Sequence, residues 1–434
     1  MLRNSTQIFV FAVLIAFILT DHASAQTSVS SPYSAYGIGN LSQVTNIRSR
    51  SMGGVGIGIR DNFNVNHLNP ASYSGFDSTS FVFEGGASGH YITLKTDNLS
   101  ESYSNATLSH LLFGFPVTKW WKSSFGMLPF SIMGYDATDF STPENISQTQ
   151  YVFEGSGGVS QFFWGNSVQF TKFLTLGVNS SYLFGTMDRV QKVTFPGSAN
   201  LISSLSNNAI SVNDMYFDFG AQFHNTLDSA RGVQLVIGAT YSPQQELNAR
   251  RNSLLRSYLG DLSGVPLIID TISQVIDEKG TIVIPQSFGI GFSFSRKNRW
   301  LVAADYEFGA WKNYSAFGES DSLTNSHKFR IGGQITPNPN SFSYVQRIEY
   351  RLGAKYNQTY LNLRDKQISG LGITFGLGLP VISNMIRRTR SMLNIGFEAG
   401  RRGTLSNGLI QENYFNIYIG ISIYEWWFFK RRYK

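Results

Sequence analysis

Arg50-Ser51-Met52-Gly53-Gly54-Val55-Gly56 and, a little further on, Asn69-Pro70-Ala71 form the stretch that decides the fold. It closes a polar, Gly-rich N-terminal segment, and about fourteen alternating strands follow it almost to the C-terminus. A polar segment ahead of a barrel-length array of strands predicts a plug inside a closed barrel. We therefore predict an all-β protein, a 14-stranded antiparallel transmembrane β-barrel with an N-terminal hatch in its lumen.

Period-two alternation of apolar and polar residues marks the candidate strands. In the last of them Phe415, Ile417 and Ile419 face one way, and Asn416 and Tyr418 face the other. The segment 148–169 is the least regular, because a Gly-Gly pair interrupts it. The candidates are 79–94, 104–117, 122–135, 148–169, 173–186, 210–225, 232–246, 282–295, 299–312, 325–336, 347–361, 369–380, 391–402 and 412–425.

The links between these strands alternate in length. Links after even strands, such as 117–121 and 296–298, are short, whereas links after odd strands, such as 187–209 and 247–281, are long. Outer-membrane barrels have short periplasmic turns and longer extracellular loops. The alternation predicts a barrel in a bacterial outer membrane with both termini in the periplasm.

The first residues are typical of a secretory signal. Arg3 precedes an apolar run over 8–19, and Ala23-Ser24-Ala25 is a small-x-small cleavage site. The run is too short to span a bilayer as a helix, and the cleavage site argues against the alternative of a retained N-terminal anchor. The predicted organisation is a signal peptide over 1–25, a hatch over 26–77 and a transmembrane barrel over 78–434.

Composition supports the membrane class. Aromatic residues make up 14% of the 434 residues and charged residues only 15%, against about 25% charged residues in soluble domains. The chain has no cysteine, which excludes a lipoprotein anchor and cysteine-based metal sites. Four of the charges behind the net +7 are Lys430, Arg431, Arg432 and Lys434. This terminal cluster favours the periplasmic edge of a bilayer over a nucleic-acid partner.

The Gly-rich stretch and the strand count together resemble the FadL family of long-chain fatty-acid transporters. The stretches 406–415, 425–431 and 336–340 resemble the Bacteroidota branch of that superfamily. The resemblance covers essentially the whole mature chain and implies a hatch and a hydrophobic or amphipathic small-molecule ligand. The hatch motif consists of Arg50, Gly53, Gly54, Gly56, Asp61, Asn69, Pro70 and Ala71. Its glycines allow either close packing on the wall or movement of the hatch.

Two further features bear on function. Strand phase turns several ionisable side chains into the lumen, where they either brace the wall as ion pairs or receive a ligand head group. We predict Arg330, Arg351 and Lys355 as the ligand contacts. Gly126 and Pro129 interrupt the third strand, where proline removes a ladder donor. The family resemblance implies that a kink in this strand opens the wall sideways, whereas the plainer interpretation is a local bend.

Nothing in the sequence favours catalysis. The histidines are scattered without ligand spacing, and no His-Glu-x-x-His or Gly-x-Ser-x-Gly motif occurs. We predict no enzyme activity, no catalytic residue, no cofactor and no metal. Two functions remain open: transport of hydrophobic or amphipathic small molecules through a hatch and a lateral opening, or an accessory barrel whose loops, chiefly 247–281, bind other outer-membrane proteins in a secretion or assembly complex.

Overall fold

One antiparallel sheet forms the whole barrel wall. The computed structural model describes residues 31–42, 45–142, 148–196, 201–259, 267–384 and 389–427. The last strand pairs with the strand before it and with the first wall strand, so the sheet closes on itself. Within the described ranges no helix is long and apolar enough to cross a membrane.

The strands are β1 Asn40–Leu41, β2 Ser80–Lys95, β3 Ser100–Pro116, β4 Trp121–Ile132, β5 Tyr135–Ser141, β6 Thr149–Gln169, β7 Leu174–Thr194, β8 Ser203–Asp228, β9 Val233–Ser242, β10 Gln245–Leu259, β11 Leu267–Ile284, β12 Ser287–Arg296, β13 Trp300–Gly309, β14 Ser315–Ala316, β15 Ser326–Ile335, β16 Glu349–Leu363, β17 Lys366–Asn384, β18 Thr389–Gly403 and β19 Gln411–Trp426. Short helices cover Pro32–Ala35, Ile47–Arg50, Pro70–Gly75, Trp311–Asn313, Tyr344–Arg347 and Ser406–Gly408.

The prediction of fourteen antiparallel wall strands is confirmed. β4 with β5, β9 with β10, and β11 with β12 each fill one position in the wall, and β1 and β14 are two-residue additions. The segment 148–169 is one unbroken strand, β6, in which Gly157 and Gly158 take positive φ while keeping their pairing with β7. The predicted signal peptide and the C-terminal basic cluster lie outside the described residues.

Several predicted links are wrong, because strands continue through them. The segment 247–281 is mostly the β10–β11 hairpin, whose tip over 260–266 lies outside the described residues. Most of 187–209 likewise belongs to β7 and β8. In the β7–β8 extension both faces carry polar residues, so the apolar period ends while the backbone ladder goes on. The β10–β11 hairpin instead carries exposed isoleucines on β11.

The alternation in β19 matches the predicted two faces. Ile419 and Ile421 are each 50% exposed, whereas Tyr418 is 4% and Ser422 is 6% exposed. An apolar exposed row opposite a polar enclosed row is the pattern of a strand between lipid and lumen.

Residues 31–42 and 45–76, which we call the lumenal segment, contact the inner faces of strands all around the wall. Five pairs of glycines lie opposite each other on neighbouring strands, and a Cβ on any of them would crowd the lumenal segment. Each pair therefore lets the segment approach the wall backbone more closely than any other residue would. The pairs are Gly177 with Gly220 (against Asn69 and Pro70), Gly238 with Gly291 (against Ile57 and Gly58), Gly332 with Gly353 (against Met52), Gly376 with Gly396 (against Ser51), and Gly86 with Gly420 (against Ile47).

Cysteine labelling in intact cells tests the predicted orientation. Ser322 lies in an exposed loop at one end of the barrel, and Asp228 lies at the β8–β9 turn at the other end. We expect Ser322→Cys to react with a membrane-impermeant maleimide and Asp228→Cys to react only after the outer membrane is permeabilised. The reverse pattern would overturn the orientation. Ser257, which the sequence places in a loop, is in β10 and 9% exposed, so it is unsuitable for this test.

Candidate functional site

The Gly-rich stretch wraps around a wall carboxylate. The backbone N–H groups of Gly56 and Ile57 donate to Asp305 Oδ2 at 2.6 and 2.9 Å. The N–H of Gly53, which has a φ of +72°, donates to Thr374 Oγ1 at 2.8 Å. Successive N–H groups around one anion form a strong and geometrically specific anchor. These contacts favour close packing over movement as the role of the glycines.

The Asn-Pro-Ala turn is also held by hydrogen bonds. The Asn69 side chain accepts from Ala71 N at 3.1 Å and donates to Ile57 O at 2.8 Å. Pro70 follows it as the first residue of the short helix Pro70–Gly75, where a missing N–H costs nothing. The turn thus fixes the path of the chain as it leaves the wall glycines.

The charged residues of the motif separate in space. Asp61 pairs with Arg48 and also accepts from Phe63 N at 2.8 Å. Arg50 donates through Nε to Thr45 O at 3.2 Å, and its guanidinium lies 5.0 Å from the centre of the Tyr418 ring. Asp61 lies near the end of the barrel that carries the β12–β13 turn, whereas Arg50 lines the cavity on the other side of the Gly-rich stretch.

The buried histidine of the lumenal segment is neutral. His67 lies 3.2 Å from Gln161 Nε2 and packs edge-on against Phe163. Burial lowers the pKa of His67 to about 3. Among the described residues no group of three or more His, Asp or Glu side chains could hold a metal.

The wall parts between β3 and β4. Their ladder runs from Pro116–Lys122 to Leu111–Met127 and ends there. The remaining residues of β3, Ser100 to His110, pair on the described part of the chain with β2 alone. We call this discontinuity the seam.

Gly126 and Pro129 lie on either side of the point at which the β3–β4 ladder ends and the seam begins. A Cβ on Gly126 would overlap the Leu111 carbonyl, so this glycine lets β3 and β4 meet closely just before they part. Pro129 marks a register shift in the ladder between β4 and β6. The two residues for which a kink is predicted thus lie near the point at which β4 leaves β3.

Beyond the end of the β3–β4 ladder, β4 pairs with the lumenal segment instead of with β3. Asn40 and Leu41 pair with Ile132 and Ser131, and Ser42 N donates to Phe130 O at 2.9 Å. These bonds satisfy backbone groups that the seam would otherwise leave unpaired. β1 therefore covers, from the lumenal side, the edge of β4 that β3 leaves.

A cavity of about 430 Å³ joins the seam to the lumen. One end is lined by Leu108, Ser109, Pro129 and Ile132 at the seam. Leu108 faces outward and is 62% exposed, so this end of the cavity is bordered by a residue of the outer wall surface.

The opposite end of the cavity is cationic. Lys328 and Arg330 lie 2.6 and 2.8 Å from the two oxygens of Glu307. Arg330 is 5% exposed, and its Nε and Nη1 have no hydrogen-bond partner among the described residues. Both nitrogens are enclosed, so they would donate to an anionic group in the cavity once neighbouring side chains shift.

The other two predicted ligand contacts differ from Arg330. Lys355 lines the cavity and lies 2.6 Å from Glu398 Oε1. Arg351 is not among the lining residues, and it donates to Glu349 Oε2 at 2.5 Å and to Asn394 Oδ1 at 2.7 Å. The side chain of Arg351 points inward as predicted from the strand alternation, but its guanidinium is already hydrogen-bonded to side chains of the wall.

Sequence reasoning missed three parts of the site. It did not connect Asp305 with the Gly-rich stretch, nor place Arg50 at the cavity, nor detect β1 on the β4 edge. Asp305 lies directly across the ladder from Gly291. An inward acid beside a wall glycine was the sequence signal that could have indicated its contact with the Gly-rich stretch. A two-residue strand carries no periodic signal.

These features define a class: a closed 14-stranded β-barrel with an N-terminal segment packed in its lumen and a seam in its wall. The model of the BamG family matches residues 5–434. The chain belongs to the BamG family.

The fold is shared with solved outer-membrane channels at low identity. A FadL homologue from Pseudomonas aeruginosa is 11% identical with a TM-score of 0.58, over 90% of this chain and 100% of that one. The Pseudomonas putida toluene transporter TodX is 16% identical with a TM-score of 0.57, over 90% and 100%. The Ralstonia pickettii toluene transporter TbuX is 14% identical with a TM-score of 0.55, over 87% and 97%. No curated protein matches this chain.

Proposed function

We propose that this protein is a bacterial outer-membrane channel for amphipathic small molecules with an apolar chain and an anionic head, of the long-chain fatty-acid kind. The observation that carries the proposal is a single cavity whose two ends differ in chemistry. One end lies at the seam beside the outward-facing Leu108, and the far end holds Arg330, two of whose guanidinium nitrogens have no hydrogen-bond partner among the described residues. The FadL-like barrels named above are channels of related architecture, and they lend the proposal its plausibility.

The seam suits the apolar part of such a molecule. Leaving the lumen through Leu108 and Pro129 would move an alkyl chain directly into the bilayer. Transfer into periplasmic water would instead cost about 0.8 kcal/mol for each CH₂ exposed. A sideways route is therefore the favourable one for a long chain.

The axial route is closed to such a molecule at the level of the glycine pairs. The lumenal segment contacts ten wall glycines there, and its backbone is anchored on Asp305 and Thr374. We assign this segment, within the predicted range 26–77, the role of a fixed hatch. Lateral passage of the ligand then requires at most a displacement of β1, which is held on β4 by two paired residues and the Ser42 N–Phe130 O bond.

Arg330→Gln tests the head-group end of the cavity. The glutamine keeps much of the side-chain volume but removes the charge, and a hydrogen bond to a charged group contributes about 1.5–3 kcal/mol. We expect the purified variant to bind a fluorescent long-chain fatty acid roughly 10- to 100-fold more weakly. The matched long-chain alcohol should bind within about threefold of its affinity for the unaltered protein. Equal losses for acid and alcohol, or no loss for either, would exclude Arg330 as the head-group contact.

A second function is favoured by one observation, the apolar hairpin β10–β11. Ile269, Ile272 and Ile276 are 46%, 59% and 70% exposed on a strand that extends well beyond the apolar band of the wall. Exposed aliphatic side chains away from lipid commonly mark a protein contact. An accessory barrel that binds another outer-membrane protein through this hairpin is thus the alternative to transport.

A further inference from the structure

The lipid-facing wall has an apolar groove of about 800 Å³ on strands β9, β12, β13, β15, β16 and β17. Its floor contains the short outward side chains of Ala304 and Ala354, and Ile331 lies between them in the same row. Phe292 and Tyr356 stand higher at the sides. A hollow among large side chains on an otherwise convex barrel provides a defined place for an acyl chain.

A basic surface lies directly below this groove. The β12–β13 turn is Arg296-Lys297-Asn298-Arg299, and each of these residues is exposed. Lys297 N donates to Gly232 O at 3.0 Å, which joins this turn to the neighbouring turn over 228–232. Together the two turns carry four cations and one acid, Asp228, which is 3.7 Å from Arg231.

The spacing between groove and cations matches a phospholipid. Arg296 is four positions after Phe292 along β12, or about 13 Å of strand. With a strand tilt of about 40° this is roughly 10 Å along the membrane normal, inside the roughly 15 Å of one leaflet's hydrocarbon. The groove then lies at acyl-chain depth when the turn lies at head-group depth.

We propose that this side of the barrel is a specific site for an anionic phospholipid of the periplasmic leaflet. The acyl chain occupies the groove above Ala304 and Ala354, and Arg296 and Arg299 bind the phosphate oxygens. Arg299 is held at the rim of the barrel, because its Nη1 donates to Pro337 O at 2.5 Å. The site is on the outer wall and requires the periplasmic orientation of the short turns, but it does not require that the lumen conducts.

Native mass spectrometry of the purified barrel with added phosphatidylglycerol tests the site. Two double variants address its two halves, Arg296→Ser with Arg299→Ser and Ala304→Phe with Ala354→Phe. We expect each to weaken retention of phosphatidylglycerol about tenfold or more, since each cation near a membrane surface contributes substantially to anionic lipid binding. Phosphatidylcholine should be retained weakly by all the proteins.

Matched controls separate the site from general effects. Lys119→Ser with Lys172→Ser removes two exposed cations from other turns of the same rim, and Ala87→Phe adds bulk to an outward alanine on β2. Both should retain phosphatidylglycerol as the unaltered protein does. Equal losses in controls and site variants would overturn the proposal. Retention of phosphatidylcholine equal to that of phosphatidylglycerol would also overturn it. The same holds if the Ala304→Phe, Ala354→Phe variant retains phosphatidylglycerol as the unaltered protein does. Unchanged heat-modifiable gel mobility in every variant establishes that the barrels are folded.

Discussion

Replacing Gly238 and Gly291 by valine is expected to expel the lumenal segment from its seat and to open the barrel to small polar molecules. A Cβ on Gly291 would lie 2.9 Å from Gly58 N, and one on Gly238 would overlap the Ile57 carbonyl. Overpacking costs about 1–3 kcal/mol at each site. Neither contact can relax easily, because the backbone over 56–59 is held by Asp305 and Asn69.

Dye entry into proteoliposomes measures this effect. We expect the double variant to admit a small polar dye at least about tenfold faster than the unaltered protein. Gly89→Val is the control, since a Cβ at Gly89 has nothing within 4 Å. The single change Gly238→Ala provides a milder form if the double variant assembles poorly. A folded double variant with unchanged dye entry would contradict the account of a hatch seated on glycine pairs.

The wall was predictable from sequence, because lipid on one side and a polar lumen on the other impose a period of two. β19 shows this most clearly, with its exposed row of isoleucines. The alternation ends where the strands extend beyond the exposed apolar surface of the wall. An example is the start of β8, Ser203-Ser204-Leu205-Ser206. The sequence therefore indicated the membrane-spanning part of each strand and gave no indication of the tall extensions.

The site was predictable only in outline. Pro129 indicated a strand with a register shift, because a missing N–H is a local property. The pairing of Asn40 and Leu41 with β4 joins segments about ninety residues apart, and no local pattern encodes such a contact. Strand phase likewise turned Arg330 and Arg351 to the same side of the wall, yet only the neighbouring side chains decide that Arg330 keeps unused donors.

Closing the seam is expected to abolish most transport without changing the amount of barrel. In Pro129→Val the backbone regains an N–H, and a β-branched residue favours regular strand pairing. Ser109→Trp acts independently of the ladder by filling the cavity at the seam, where Ser109 is 3% exposed. Both changes should reduce uptake of a labelled long-chain fatty acid about tenfold in cells that depend on this protein.

Pro380→Val is the matched control. Pro380 also interrupts a wall strand at a register shift, but β17 remains paired with β18 on both sides of it. We expect its uptake to stay within about twofold of that of the unaltered protein. A loss of uptake in this control would show that proline replacement in the wall is harmful in general.

The most direct test of the central claim is the initial rate of fatty-acid uptake in the Pro129→Val and Ser109→Trp cells, at equal barrel abundance in the outer membrane. Lateral exchange through the seam predicts that both rates fall about tenfold while that of Pro380→Val does not. Unchanged uptake in both seam variants would contradict it. If those variants instead lost co-purifying outer-membrane proteins, the accessory-barrel function would take the place of transport.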